Sequence, residues 1–243
     1  MSGSTAGVEK RALRGWSIAA GVAYLYGILY GVAVGLPISS KLIVAGDAAA
    51  TSANIAAHEM LYRLNTLAEL LMYVGVIVLA VALYVITRQA GRNLAVLGLS
   101  LRVVEGALSC TFVIAGYGVL EVLSHQAYLG AFTPQQRQAA VQVLLNLKIA
   151  GGRITPLFFC IGSILFYGLL LKSRGIPRVI SALGILAYAL FLVDDVVSLL
   201  TPGSSSAVVL ANPLEIAVAA PVILFEAFVG VWLVVRGVRP PTA

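Results

Sequence analysis

Histidine and cysteine are almost missing from this chain. Histidine occurs at His58 and His125, and cysteine at Cys110 and Cys160. Two histidines exclude a tri-histidine metal site, and no Glu-x-x-His pair offers a di-metal site in a helical bundle. Both cysteines lie in apolar runs, so they read as small apolar fillers. A disulfide framework or a cysteine zinc site is not expected. Both histidines fall at the edges of apolar runs, which leaves no bis-histidine haem site within them. Walker A, G-x-G-x-x-G, H-E-x-x-H and G-x-S-x-G patterns are absent as well. Neither a metal nor a cofactor is expected. Charge is the last scarcity. Only 11% of residues are charged, where a soluble domain carries about 25%.

What fills the chain instead is hydrocarbon. Of 243 residues 60% are apolar, and the mean hydropathy is +0.99. Such a composition excludes an ordinary soluble enzyme, a disordered chain and a coiled coil. Apolar runs longer than about 18 residues read as spanning helices. They predict an all-α polytopic membrane bundle, a single domain over 1–243, with six spans at 16–36, 61–86, 94–120, 154–171, 179–200 and 213–235. The first run is too long for a signal-peptide core, so no cleavable signal peptide is expected.

The net charge of +6 reads as membrane anchoring rather than nucleic-acid binding. Ten of the sixteen Lys and Arg residues fall on one side of the predicted topology: Lys10, Arg11, Arg14, Arg88, Arg92, Lys172, Arg174, Arg178, Arg236 and Arg239. The loops of the other side carry only Lys41 and Arg137. By the positive-inside rule both termini, 1–14 and 237–243, are expected in the cytoplasm. Short amphipathic helices are expected on the outer side. One covers 48–57, capped by Asp47 or Thr51. Another starts at the capping box Thr133-Pro134-Gln135-Gln136 and runs to about Ile149, ending near Gly151-Gly152 or extending the fourth span outward. Asn212-Pro213-Leu214-Glu215 reads as a further box.

Several segments carry a resemblance: Ser39-Ser40-Lys41-Leu42-Ile43-Val44, Gly46-Asp47-Ala48-Ala49-Ala50-Thr51 with Asn54-Ile55, Tyr62-Arg63-Leu64, Gly175-Ile176-Pro177-Arg178 and Val193-Asp194. With these, residues 15–200 resemble a bacterial family of small multipass membrane proteins catalogued as domain of unknown function 4386. The resemblance implies membrane residence and no activity. Members carry a Leu-His pair where this chain reads Leu147-Lys148, so no role of that histidine passes to it.

The polar remainder is the informative part. An ionisable residue at membrane depth is costly and survives by pairing, by facing water or by working. Arg63, Asn65 and Glu69 fall in the outer half of the second span. Arg102 and Glu105 lie near the middle of the third, and Lys148 and Arg153 at the entry of the fourth. Asp194 and Asp195 lie late in the fifth, and Glu226 follows Pro221 in the sixth. Tyr62, Asn65, Glu69 and Tyr73 share one helical stripe. Arg102 and Glu105 are i,i+3 partners, with Ser109 on the same stripe. Asp194 and Asp195 diverge by about 100°, so only one faces any given point. In the first span Tyr26 and Tyr30 share a face and Tyr24 points elsewhere, while Gly27 and Gly31 form a small-residue packing motif. Glu121 and His125, near the outer end of the third span, read as solvated interfacial residues, with lining of the cavity mouth as the alternative.

These residues predict a polar, carboxylate-lined cavity open toward the outer face. Three functions compete for it. The first is an enzyme doing general acid–base chemistry, a cyclisation or isomerisation, on a lipophilic substrate of prenyl or terpenoid type. Asp194, Asp195, Glu226 and Glu69 would be its acids. Tyr24, Tyr30, Arg63, Asn65, Tyr73, Arg102, Glu105, Lys148 and Arg153 would bind substrate. Small membrane terpene cyclases offer an analogy at the level of fold alone. The second is a non-catalytic subunit or sensor, and the third a proton- or cation-coupled transporter. The expected partners are the lipid bilayer and a lipophilic small molecule, with homo-oligomerisation left open.

Overall fold

The computed structural model describes residues 2–124, 130–201 and 213–239. His125, Asn212 and the Glu215 side chain lie outside the described residues. Helix α1 (Ser2–Ile28) passes through a π-helical segment (Leu29–Gly35) into α2 (Leu36–Leu42). Then come α3 (Ala48–Ala57), α4 (Glu59–Thr87), α5 (Arg92–Leu123), α6 (Pro134–Ser173), α7 (Arg178–Leu200) and α8 (Pro213–Val235). No strand occurs among the described residues.

Neighbours in sequence are neighbours in space. α4 packs on α1 and α5, α6 on α5 and α7, and α8 on α7 and back on α1, which closes a ring of antiparallel helices. The closing seam is tight because both partners are glycines. A Cβ on Gly21 would stand 2.6 Å from the Gly230 carbonyl oxygen. Gly27 and Gly31, the pair expected to pack, do no such thing. A Cβ on either would meet nothing within 4 Å, because this face of α1 borders the cavities described below.

The basic segments gather at one end of the ring. Arg14 donates to the carbonyls of Leu233, Val234 and Val235 at 3.1, 2.6 and 3.2 Å. These are the unpaired carbonyls at the C-terminus of α8, where a cation also opposes the helix dipole. The Arg239 N–H donates to the Gly175 carbonyl at 2.8 Å. Gly91 sits against Leu169, bringing the α4–α5 turn to the same end.

The far end is covered. Leu42, Ile55, Tyr62, Val119, Leu120, Val141 and Leu145 form a small apolar core there, drawn from α2 to α6. Asp47 caps α3 by accepting from the Ala50 N–H at 2.8 Å. Thr133 and Gln136 make the reciprocal capping box at the start of α6. Losing the Thr133 hydroxyl strands an amide there. Thr133→Ala should cost about 1 kcal/mol and speed amide exchange over 135–137, read by hydrogen-exchange mass spectrometry.

Of the two courses open to the helix that starts at Thr133, it takes the second: it runs through Gly151-Gly152 to Ser173 and so extends the fourth span outward. Gly151 lies so close under the Phe112 ring that no Cβ fits. The glycines therefore serve contact with α5 rather than helix termination. The first span, expected over 16–36, is part of one apolar helical stretch, Lys10–Leu42. Its π turn has a local cause. Pro37 has no N–H to return to the turn before it, and the ladder shifts so that the Leu36 N–H reaches the Gly31 carbonyl.

Five stretches are long and apolar enough to cross a bilayer: Lys10–Leu42, Glu59–Thr87, Arg92–Leu123, Pro134–Ser173 and Arg178–Leu200. The surface agrees. Leu183, Leu186, Leu190, Val193 and Val197 of α7 are all exposed, as are Leu64, Leu67, Leu71, Val74 and Val78 of α4. Arg102, Glu105, Glu69 and Asp195 are buried instead. Apolar stripes outside and charge inside are the reverse of a soluble bundle. The chain is a multipass membrane protein.

Candidate functional site

Two adjoining cavities occupy the interior of the ring. The larger, about 450 Å³, is lined by the π-helical segment and by α2, α4, α5 and α6. The smaller, about 290 Å³, lies between α1, α4, α5, α6 and α8. Tyr73, Ser109, Gly152 and Thr155 line both. The larger volume is within the range of about 300–1,000 Å³ of small-molecule sites.

The stripe on α4 builds one wall of the larger cavity. Tyr62, Asn65, Glu69 and Tyr73 all face it, as steps of three and four residues require. Across from them α6 supplies Lys148, whose Nζ lies 2.5 Å from Glu69 Oε2. The lysine stem passes over Gly116, where a Cβ would stand 2.9 Å from its Cδ. Glycine at that position of α5 is what lets the ammonium reach inward. Tyr62 donates to the Gly116 carbonyl at 2.7 Å, holding α4 against α5 beside the pair. The Asn65 Oδ1 is buried and accepts no hydrogen bond from the described residues. Tyr30 enters from the π turn, its ring against Gly35. Most of the remaining wall is hydrocarbon: Leu36, Ile38, Leu42, Phe112, Val113 and Leu145.

The smaller cavity holds the second charged group. Arg102 Nη1 lies 2.7 Å from Glu105 Oε2, a charge contact without hydrogen-bond alignment, and Arg102 Nε has no partner among the described residues. The guanidinium stacks 4.7 Å above the Phe159 ring, an attraction between cation and ring quadrupole. Glu226 reaches the same cavity from α8 and accepts from the Tyr188 hydroxyl at 2.9 Å. Tyr167 donates to the Tyr24 hydroxyl at 3.0 Å. Pro156 also lines this cavity. Its missing N–H leaves the Gly152 carbonyl, one turn earlier, without its helical donor.

The residues singled out in the sequence thus separate into three groups. Tyr30, Asn65, Glu69, Tyr73 and Lys148 meet in the larger cavity, and Tyr24, Arg102, Glu105 and Glu226 in the smaller one, with Tyr73 shared. Arg63, Arg153, Asp194 and Asp195 line neither. Arg63 is exposed, pairing with Glu59 at 2.7 Å and with the Tyr117 hydroxyl at 3.2 Å. Asp195 is buried and Asp194 only half-buried, which settles how the adjacent pair divides between two directions. Asp195 lies within electrostatic reach of Arg153. Tyr26 donates to the Ala68 carbonyl of α4 at 3.0 Å. Among the described residues no three His, Cys, Asp or Glu side chains gather as a metal site.

Sequence reasoning passed over Gly35, Thr155 and Pro156. Proline inside an apolar run was the available signal for Pro156, as it is for Pro221. The π turn had none beyond Pro37, since it arises from hydrogen-bond register and not from composition.

With this geometry in hand, a family model described as "Domain of unknown function (DUF4386)" matches residues 19–237. Neither the curated proteins nor the solved structures provide a match.

Proposed function

From the premise that the chain belongs to the DUF4386 family, which assigns it no activity, we propose that it is an intramembrane enzyme. It performs general acid–base chemistry on a lipophilic substrate held in the larger cavity. It crosses the bacterial cytoplasmic membrane six times, α8 being the sixth span, with both termini in the cytoplasm. The clustering of basic segments at one end of the ring supports that orientation. The larger cavity lies toward the opposite, outer end.

One observation carries the reading. A carboxylate from α4 and an ammonium from α6 are held in contact inside a cavity whose walls are mainly hydrocarbon. Structural pairing alone needs no cavity. Here Glu69 and Lys148 can exchange a proton with a bound molecule whose chain lies against Leu36, Phe112 and Leu145. The faces of Tyr30 and Tyr73 would stabilise positive charge developing on that molecule. Glu226 offers a second acid in the adjoining cavity, where Arg102 is the cation beside it. Asp194 and Asp195 stand outside this arrangement.

The test combines purified protein in nanodiscs, a bacterial lipid extract and mass spectrometry of substrate loss. Glu69→Gln removes the titrating group and keeps its shape. It should slow turnover by about 10²–10⁴-fold with unchanged membrane insertion. Turnover equal to the native protein would end the reading.

A non-catalytic subunit is the second reading, favoured by a specific feature. Lys148–Glu69 and Arg102–Glu105 are each neutral as a pair, which is what packing inside a membrane asks for by itself. No consumption of any lipid by the purified protein, together with co-purification of one fixed partner chain, would decide for it.

A further inference from the structure

Taking as given that the larger cavity holds a lipophilic molecule, we infer that the head group it recognises is a neutral hydroxyl: the ligand is a long-chain alcohol, not a fatty acid or an amine. The first ground is charge. Among the described residues, Glu69 and Lys148 are the only formally charged ones that line this cavity, and they neutralise one another. A carboxylate entering would face Glu69 and leave a net negative charge among hydrocarbon walls. An ammonium would face Lys148 and leave a net positive one. Either imbalance is costly against walls that are mainly hydrocarbon.

The second ground is independent of the first. Asn65 is 6% exposed and lines the cavity; its amide N–H reaches the Tyr30 hydroxyl, while its Oδ1 accepts nothing from the described residues. A buried acceptor in that state calls for a donor. It sits one helical turn before Glu69 on α4, so both face the same space. The Lys148 ammonium has three protons, of which Glu69 takes one. A hydroxyl meets both requirements at once, donating to Asn65 and accepting from Lys148. A carboxylate has no proton for Asn65, and an ammonium has no lone pair for Lys148. The apolar tail then runs along Leu36, Ile38, Phe112 and Leu145.

The experiment offers the full-length protein an equimolar mixture of dodecanol, dodecanoate and dodecylamine and counts adducts by native mass spectrometry. The alcohol adduct should exceed either of the others by about tenfold. Asn65→Leu, whose fold is checked by its melting temperature, should lower alcohol binding by about tenfold. Glu69→Gln leaves Lys148 unneutralised and should turn the preference to dodecanoate. Dominance of dodecanoate or dodecylamine on the native protein overturns the head-group inference and leaves the cavity reading standing. So does an Asn65→Leu variant that binds dodecanol as the native protein does. Binding of none of the three overturns both.

Discussion

Arg102→Met should destabilise the protein more than any other single replacement of a charged residue, by about 3–5 kcal/mol. The residue is 2% exposed and supplies, among the described residues, the only formal positive charge bordering the smaller cavity, against Glu105 and Glu226. Methionine keeps most of the stem, which lies against Gly162 and needs a glycine there; a Cβ at 162 would stand 2.9 Å from Arg102 Cγ. Packing is therefore nearly conserved and charge is not. What remains is two acids in a cavity of low dielectric with no cation, and the contact with Phe159 is lost as well. The melting temperature of the purified protein, followed by size-exclusion chromatography after heating, reads the effect. Arg102→Met with Glu105→Gln should recover most of the loss, since removing both partners of a buried pair is often close to neutral. Arg63→Met is the contrast. That ion pair with Glu59 is exposed, and its loss should leave melting unchanged. Equal melting of Arg102→Met and the native protein would show that the buried pair does not hold the bundle.

Gly21→Ala should be the most damaging addition of a single methyl group, costing about 1–3 kcal/mol or more. Its Cβ would stand 2.6 Å from the Gly230 carbonyl oxygen, 2.7 Å from Val234 Cγ2 and 3.0 Å from the Val234 nitrogen. Two of these atoms are backbone, so no rotamer change relieves the clash. α1 and α8 have to move apart, and this contact is the one that closes the ring. Gly168→Ala on α6 makes the same chemical change with the opposite expected sign. Its Cβ meets nothing within 4 Å, and removing a glycine from a helix interior should stabilise by about 0.5–1 kcal/mol. Melting of the two variants side by side checks the pair. A Gly21→Ala protein that melts with or above the native one would mean that the α1–α8 seam yields easily.

Much of the architecture was legible because hydropathy is additive along the chain. The apolar runs marked the long helices, and Thr133 and Asp47 marked helix starts, since a cap depends on a few adjacent residues. The stripe from Tyr62 to Tyr73 and the Arg102–Glu105 pair were legible for the same reason: both relations are internal to one helix. Legibility failed where a second helix decides. Gly151-Gly152 looks like a helix end and is a contact point under Phe112. Gly27 and Gly31 have the spacing of a packing motif, yet Gly21 and Gly230 make the contact. Arg63 and Lys148 were equal candidates for an inward cation. Only Lys148 turns in, because Gly116 opposite it leaves room for the stem.

The amino-acid order by itself determined the solvent. At 60% apolar and 11% charged, and with apolar runs too long and continuous for the alternating strands of a barrel, this chain buries its backbone polarity in lipid as helices. It also determined which helix ends are basic and which few residues would be expensive in hydrocarbon. Tertiary structure alone decided which of those residues meet. Lipid tails and leucine side chains are equally apolar, so no hydrophobic gradient in the sequence tells a lipid-facing stripe from a packed one. That choice rests on close backbone approach, as at Gly21 and Gly230, and on the pairing of charges from different helices, as at Glu69 and Lys148. Neither is a property of any one segment.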